Sequence, residues 1–183
     1  MNGVLLGLGS NASYNGSSSL ELLGHACTQL SAIVDNLVCS SVYRTKAMYV
    51  ADQSDFYNMA VRGTVHAVTP EQLLCSIHDI EAILGRDRSR EVRFGPRSID
   101  IDIELFENRI IDEPDLQIPH QRFHERKFIL VPALEILTEP ADCIEREKCT
   151  AYMQTLPDQG IKLYLSSSDF RKSFFPEAVH GRE

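Results

Sequence analysis

The most constraining feature of this chain is a short segment, residues 99–104, in which isoleucines alternate with acids. The acids are Asp100, Asp102 and Glu104. This two-residue period predicts a β-strand with the acids on one face and the isoleucines on the other. Carboxylates two residues apart lie about 6.6 Å apart along a strand, and they repel each other unless a positive group lies between them. The acidic face is therefore predicted either to face water or to hold a metal ion.

A cluster of arginines directly precedes this strand. The cluster consists of Arg86, Arg88, Arg90, Arg93 and Arg97. Guanidinium groups suit bidentate contacts to phosphate. A carboxylate pair beside them fits magnesium bound with a polyphosphate, because this hard cation takes oxygen ligands and completes its shell with phosphates. The alternative is a charged edge strand beside a solvated loop, and the number of adjacent arginines favours the metal and phosphate interpretation.

Composition narrows the class of protein. A chain of 183 residues, 43% of them hydrophobic, is long enough for one domain with a full core. The net charge of −8 argues against a nucleic-acid binder, which usually has a basic surface. We find no apolar run of membrane-spanning length and no signal-peptide pattern. The expectation is a cytoplasmic protein, a monomer, without nucleic-acid or membrane partners.

The cysteines do not indicate a metal site, because the chain has five and no C-x-x-C pair. Cys27, Cys39 and Cys75 lie in apolar segments, so we interpret them as reduced packing residues and predict that the cysteines form no zinc site.

Periodicity and capping signals predict an α+β fold. Helices are predicted after the capping box Ser18-x-x-Glu21, after Thr69-Pro70-x-Gln72, and around residues 126–130, where Pro132 interrupts. Strands are predicted over residues 4–8, 37–43, 57–65, 100–105 and 161–165. The leading order strand–helix–strand–strand–helix–strand is typical of a ferredoxin-like antiparallel sheet with packed helices, in a single three-layer domain. Residues 1–165 are the predicted domain, and 166–183 are predicted to be a polar, poorly ordered tail.

Two other functions compete with the magnesium interpretation. There is no P-loop, but Gly7-x-Gly9-x-x-Ala12 after a strand imitates a dinucleotide fingerprint, and Arg44 could suit a 2′-phosphate. An NADP-dependent enzyme is therefore one alternative. A ligand-binding or regulatory domain that holds a nucleotide without chemistry is another.

Six segments between about Leu6 and Leu134 resemble the 6-hydroxymethyl-7,8-dihydropterin pyrophosphokinase family in order and spacing. The segments are Leu8-Gly9-Ser10-Asn11, Ser41-Val42-Tyr43-Arg44-Thr45, Gln53-Ser54-Asp55-Phe56-Tyr57-Asn58, Ile80-Glu81 with Gly85-Arg86-x-Arg88, Phe94-Gly95-Pro96-Arg97-Ser98-Ile99-Asp100-Ile101-Asp102, and Pro119-His120 with Glu125-Arg126-x-Phe128. The resemblance implies transfer of the diphosphate of ATP to the pterin hydroxymethyl group, with release of AMP in folate biosynthesis. It implies in-line attack on the β-phosphorus with two Mg²⁺ ions.

The resemblance also implies roles for individual residues. The expected catalytic residues are Arg86, Arg97, Asp100 and Asp102, of which Asp100 and Asp102 are the expected magnesium ligands. The expected ATP contacts are Glu81, Arg86, Arg88, Arg97, His120 and Arg126. The expected pterin contacts are Thr45, Phe56, Asn58 and Phe128, with the two phenylalanines sandwiching the ring. The chain departs from the family at Phe94, where tryptophan is familiar, at Gln121, where some members have tyrosine, and at Glu104, which adds a third acid to the Asp100 face.

Overall fold

The computed structural model describes residues 2–47, 53–88 and 95–175. Within these ranges the strands are β1 (Asn2–Ser10), β2 (Asp35–Cys39), β3 (Val42–Thr45), β4 (Phe56–Val65), β5 (Asp100–Phe106), β6 (Ile111–Glu113), β7 (Leu116–Ile118) and β8 (Lys162–Leu165). The helices are α1 (Ser19–Leu30), α2 (Pro70–Ile83), α3 (Lys127–Ile136), α4 (Cys143–Thr155) and α5 (Ser167–Phe174). No helix in this part of the chain is long and apolar enough to cross a membrane.

The main sheet is antiparallel and has the strand order β5-β1-β4-β3-β8, with β2 also pairing with β4. β1 is central and pairs with β4 on one side and β5 on the other. The short strands β6 and β7 pair with each other in a separate hairpin. This arrangement confirms the predicted α+β fold, and it is not the parallel, doubly wound sheet that a dinucleotide fingerprint requires.

Helices cover both faces of the main sheet. Side chains such as Leu6 and Leu8 of β1 belong to the larger buried cluster, which they share with α1, α2 and Phe170 of α5. Leu5 lies in the second cluster, with buried residues of α3 and Cys149 of α4. Because successive strand residues point to opposite faces, β1 contributes to both cores. The result is the predicted three-layer domain.

The helix starts follow from local sequence. Ser18 accepts a hydrogen bond from the Glu21 N–H, and the Glu21 carboxylate accepts one from the Ser18 N–H, so the predicted capping box is formed. Thr69 and Gln72 form the same pair at the start of α2. Beyond the end of α2, Gly85 has φ of +89°, a conformation that favours glycine.

Several details differ from the sequence prediction. The predicted strand 37–43 is two strands, β2 and β3, which pair with different parts of β4. Pro132 lies inside α3 and does not interrupt it. The sequence did not predict α4, which is largely polar, or the β6–β7 hairpin, whose strands have three residues each. Cys75 is exposed, so its prediction as a packing residue is wrong, whereas Cys27 is buried.

The prediction that the C-terminal tail is poorly ordered is wrong for residues 166–175, which include α5. Ser166 caps α5 by accepting a hydrogen bond from the Asp169 N–H. Phe170 is fully buried in the larger core, and Phe174 packs against its ring and over Gly24 of α1. Two aromatic residues spaced by one helical turn thus attach α5 to α1. Residues 176–183 lie outside the described part of the chain.

Replacement of Phe170 by alanine tests whether α5 belongs to the cooperative fold. We expect Phe170→Ala to lower the free energy of unfolding by about 3–5 kcal/mol, because it leaves a cavity in the core. Lys172→Ala, on the exposed side of the same helix, should change it by less than about 0.5 kcal/mol. Urea unfolding followed by circular dichroism measures both values. Equal, small effects would mean that α5 is not part of the cooperative unit.

Candidate active site

Gly7 and Gly9 of β1 form a glycine floor beside the first turn of α3. In the sheet register, Gly9 of β1 lies between Asp100 of β5 and Asn58 of β4, and Gly7 pairs with Asp102. Directly paired residues share a face, so the acids and the amide project on either side of a strip without side chains. A pocket opens over this strip, lined by both glycines, both aspartates and Asn58. The alternative interpretation of these glycines as a dinucleotide fingerprint is wrong, because they form the floor of this pocket.

Two arginines neutralise Asp100. Arg97 Nη1 lies 2.6 Å from Asp100 Oδ2, and Arg86 Nη1 lies 2.5 Å from Oδ1. Burial opposes ionisation of this carboxyl, but the two guanidinium charges outweigh it, so the pKa of Asp100 lies below its ordinary value. Asp100 is therefore an ionised carboxylate that carries two arginines at the pocket edge.

Glu81 organises this edge from behind. Its carboxylate is 1% exposed and accepts hydrogen bonds from Arg86, from Arg88 Nη2 at 2.5 Å and from the Ile101 N–H at 2.8 Å. One buried acid on α2 thus fixes two arginines and the start of β5. In this structure Glu81 holds predicted phosphate contacts in position, and its predicted contact with ATP stays a prediction.

Asp102 and Arg126 form the next ion pair along the strand. Arg126 Nη1 lies 3.1 Å from Asp102 Oδ2. Burial, together with the neighbouring charge of Asp100, raises the pKa of Asp102 to about 6. The Arg126 guanidinium also lies over the Phe128 ring, 5.6 Å from its centroid. Arg126 therefore connects the acidic strand to the aromatic wall of the pocket.

Glu104 departs from the pattern of paired acids. The β1–β5 register shifts between Leu5 and Leu6, which pair with Leu105 and Ile103, so Glu104 has no directly paired residue on β1. Its side chain is fully buried against Gly7, and neither carboxylate oxygen has a hydrogen-bond partner among the described residues. Burial, and then the charge of Asp102, raise the pKa of Glu104 well above its ordinary value. Glu104 therefore lies in the interior of the protein and not at a solvent-facing end of the strand.

His120 lies beside Asp102 and Glu104. The main-chain N–H of His120 donates to the main-chain oxygen of Glu104 at 3.0 Å. The ring nitrogen Nδ1 accepts a hydrogen bond from the main-chain N–H of Arg122 at 3.2 Å. Burial and the charge of Arg126 lower the pKa of His120 to about 4. The imidazole is therefore neutral at pH 7.

The opposite side of the floor carries the predicted pterin contacts. Asn58 is 4% exposed and donates from Nδ2 to Thr45 Oγ1 at 2.9 Å, which leaves its amide oxygen directed over Gly9. Phe56 and Phe128 line the same pocket. The structure thus brings Phe128 to the same pocket as Phe56 and Asn58, which lie about 70 residues earlier in the chain.

Most of the predicted site residues meet at this pocket. The predicted site residues that line it are Thr45, Phe56, Asn58, Arg97, Asp100, Asp102, Arg126 and Phe128. Arg86, Arg88, Glu81 and His120 lie behind or beside the acids. Arg90, Arg93 and Phe94 lie outside the described residues.

Asn11 is a structural residue of the site that received no role from the sequence. Its Oδ1 accepts the Arg97 N–H at 2.8 Å, and its Nδ2 donates to Gln53 Oε1 and the Ser54 carbonyl at 3.2 Å. Asn11 thereby links two loops to the end of β1. In the sequence, Asn11 follows a predicted strand and Gly9, but an asparagine in an ordinary turn has the same position. The sequence therefore could not distinguish the two.

Comparison with known proteins identifies the family. The model of the family described as 7,8-dihydro-6-hydroxymethylpterin-pyrophosphokinase (HPPK) matches residues 5–138. The chain belongs to this family. Its relatives are named pyrophosphokinases, so the chain is an enzyme, an ATP-dependent diphosphotransferase. Names such as "Folic acid synthesis protein" for other relatives connect HPPK to folate synthesis.

Two relatives named as pyrophosphokinases support this assignment over most of their length. The 2-amino-4-hydroxy-6-hydroxymethyldihydropteridine pyrophosphokinase of Bacillus subtilis is 37% identical over 141 residues, which are 77% of this chain and 75% of that protein. The Aquifex aeolicus protein of the same name is 34% identical over 133 residues, 73% of this chain and 79% of the relative. Against the Pneumocystis carinii folic acid synthesis protein, identity is 38% over 126 residues, but these are only 17% of that longer protein.

Solved HPPK structures have the same fold. An HPPK-DHPS crystal structure in complex with substrates has a TM-score of 0.61 and 14% identity, covering 85% of this chain and 46% of that one. A Plasmodium falciparum HPPK-DHPS structure gives a TM-score of 0.58 at 17% identity, with 84% and 46% covered. The chain thus spans less than half of these proteins, and the likeness supports the fold.

The pKa shifts predict opposite pH dependences for two variants of the metal-free protein. The raised pKa of Asp102 costs stability as pH rises from about 4 to 6, so Asp102→Asn should be more stable than wild type at pH 7 and lose that advantage by about pH 4. The lowered pKa of His120 reduces the free energy of unfolding of wild type as pH falls from 6.5 towards about 4. The stability of His120→Gln relative to wild type should therefore rise as pH falls through this range.

Urea unfolding in the presence of a chelator, repeated at several pH values, measures both differences. We expect each to change by about 1–2 kcal/mol across the window, after allowance for solvent screening. Differences that are constant with pH, or that change in the same direction for both variants, would contradict the assigned shifts.

Proposed function

We propose that the pocket transfers the diphosphate of ATP to the hydroxymethyl group of 6-hydroxymethyl-7,8-dihydropterin and releases AMP. The observation that carries this proposal is that the glycine floor separates two chemically different sets of side chains in one pocket. Carboxylates and arginines line the β5 side, as a metal-bound polyphosphate requires. Asn58 and Phe56 line the β4 side, and Phe128 lies beneath Arg126 in the same pocket, so an amide and two aromatic rings are available to a flat heterocycle. The names of the relatives support the same substrate class.

Asp100 and Asp102 are the proposed magnesium ligands. They fit the ion, because both offer hard carboxylate oxygens from one strand face, and both line the pocket. Bound ions would neutralise negative charge on the phosphates and favour in-line displacement at the β-phosphorus, and we propose two of them on the family pattern.

The arginines are proposed to exchange partners when the substrates bind. Arg97 and Arg126 now contact Asp100 and Asp102, so cations on these carboxylates would release both guanidinium groups towards phosphate oxygens. Arg86 remains attached to buried Glu81 and keeps its position. The pocket therefore holds positive charge where negative charge develops between the β-phosphorus and the departing AMP oxygen.

The other side of the floor positions the nucleophile. We propose that Phe56 and Phe128 stack against the pterin ring, while Asn58 reads the donors and acceptors at its edge. Because Gly9 separates Asn58 from Asp100 in the sheet, a pterin held by Asn58 would direct its hydroxymethyl group across Gly9 towards the phosphates. Positioning of this kind accounts for transfer at a pocket where the proposed reaction assigns no covalent nucleophile to the described residues.

Formation of AMP from ATP tests the reaction directly. With Mg²⁺ present, AMP should form only when 6-hydroxymethyl-7,8-dihydropterin is added, together with the pterin diphosphate. ATP binding without AMP formation would instead favour a non-catalytic nucleotide-binding domain.

The metal assignment predicts severe losses at two positions. Asp100→Asn and Asp102→Asn should each lower kcat by about 100- to 1000-fold at saturating substrates, because each removes a carboxylate that holds an ion against the phosphates. Asp79→Asn, on the exposed side of α2, removes the same charge and should retain normal turnover. Circular dichroism would verify the fold of all three, and near-normal turnover in either site variant would refute the assignment.

The pterin side predicts a different kinetic signature. Phe56→Ala should raise KM for the pterin about tenfold and leave KM for ATP within about twofold, because it removes one aromatic wall on the amide side of the floor. Ile110→Ala, at a side chain that is 87% exposed, is the control for loss of apolar volume. Steady-state kinetics with each substrate varied in turn gives both constants. An equal rise in the two KM values would argue against a separate pterin side.

A further inference from the structure

The buried carboxyl group of Glu104 has no role in the proposed reaction. Asp100 is paired with Arg86 and Arg97, and Asp102 is paired with Arg126. Glu104 is fully buried, and within the described ranges neither of its oxygens has a hydrogen-bond partner. A buried carboxylate is normally paired or bound to a cation. Glu104 therefore lacks the positive partner that each of the two aspartates has.

His120 lies between Glu104 and Asp102 with one ring nitrogen towards each. Its Nδ1 is 3.9 Å from Glu104 Oε2, and its Nε2 is 3.9 Å from Asp102 Oδ2. One ligand atom from each of the three residues lies within 4.8 Å of the other two. Donor atoms that share an ion at about 2.1 Å are separated by about 3–4 Å, so Nε2 and Oδ2 need little movement to bind one.

The backbone builds this arrangement. Because the sheet register shifts at Glu104, its carbonyl is available to the loop after β7, and it accepts the His120 N–H at 3.0 Å. The same residue thus holds the histidine through its main chain and faces the imidazole with its side chain. Asp102 and His120 both line a second, solvent-connected opening, which provides a path for an ion that does not pass through the main pocket.

We propose that Asp102 Oδ2 and His120 Nε2 bind a divalent transition-metal ion, with the Glu104 carboxylate accepting the Nδ1–H of His120. In the metal-bound form the ring proton lies on Nδ1, and Glu104 takes the place of the Arg122 N–H that Nδ1 now accepts. A carboxylate on the second nitrogen orients a metal-binding histidine and makes it a stronger ligand. Imidazole favours ions such as Co²⁺, Ni²⁺ or Zn²⁺ over Mg²⁺, so this site differs in preference from the oxygen pair of Asp100 and Asp102.

This inference rests on the proposed function only through Asp102, which is also a proposed magnesium ligand. The test therefore uses the full chain with Co²⁺ and without ATP or pterin. Failure of Co²⁺ binding would overturn the inference and leave AMP formation untouched. Failure of AMP formation with intact Co²⁺ binding would overturn the proposed function alone.

The experiment is a Co²⁺ titration followed by visible d–d absorption, with Mg²⁺ and then Zn²⁺ as competitors. We expect one Co²⁺ per chain, displaced by Zn²⁺ and retained in a hundredfold excess of Mg²⁺. Proton NMR of the Co²⁺ form should show a hyperfine-shifted imidazole N–H that is absent in D₂O. No binding, or displacement by equimolar Mg²⁺, would overturn the proposal.

Four variants separate the roles of the residues. His120→Ala should abolish the absorption, and Glu104→Met should weaken Co²⁺ binding about 10- to 100-fold. Glu104→Gln, whose amide oxygen can still accept the Nδ1–H, should recover part of that loss. Asp100→Asn should bind Co²⁺ within about threefold of wild type, which excludes the Asp100–Asp102 pair as the Co²⁺ site.

Thermal unfolding provides a readout that does not depend on the spectrum. Co²⁺ should raise the Tm of wild type and of Asp100→Asn, but not that of His120→Ala. Glu104→Met should fold at least as stably as wild type without metal, because it replaces an unpaired buried carboxyl with an apolar side chain of similar length. Equal Co²⁺ affinities for wild type, Glu104→Met and His120→Ala would overturn the proposal.

Discussion

The ion-pair network centred on buried Glu81 is the interaction on which the rest of the site depends. Glu81 binds Arg86, Arg88 and the Ile101 N–H, and Arg86 continues to Asp100. Removal of one partner from such a buried network leaves the others as uncompensated charges, which is strongly destabilising. The network therefore fixes α2 against β5 and holds the acidic strand beside its arginines before any substrate arrives.

The glycine strip of β1 gives this charge network a pocket to act in. Most strand positions next to a buried helix carry large side chains, but Gly7 and Gly9 carry none beside the first turn of α3. A Cβ on Gly7 would lie 2.7 Å from Glu104 Oε1 and 2.6 Å from Ile129 Cδ1, so the absence of a side chain also makes room for the buried acid. The proposed phosphate side, the proposed pterin side and the Glu104–His120 pair thus share one floor.

Prediction from sequence succeeded where the cause is local. The alternation that ends at Glu104 predicted a strand with its acids on one face, and β5 is that strand. The capping boxes predicted the starts of α1 and α2 to within a residue. Predictions were poorer at α4, whose apolar periodicity is weak, and at α5, where Phe170 and Phe174 stand out only once α1 is known to lie beneath them.

The sequence by itself determined the strand and helix periods, the acidic strand with its arginine cluster, and the motif order that resembles a pyrophosphokinase. These are properties of neighbouring residues, and local sterics and capping enforce them. Only the tertiary structure decided that Asn58, Gly9 and Asp100 lie in one row, because strand register depends on packing of residues far apart in the chain. It also decided that Glu104 is buried beside His120, since a one-residue register shift is set by the pairing of two strands and leaves no mark in the sequence of either one.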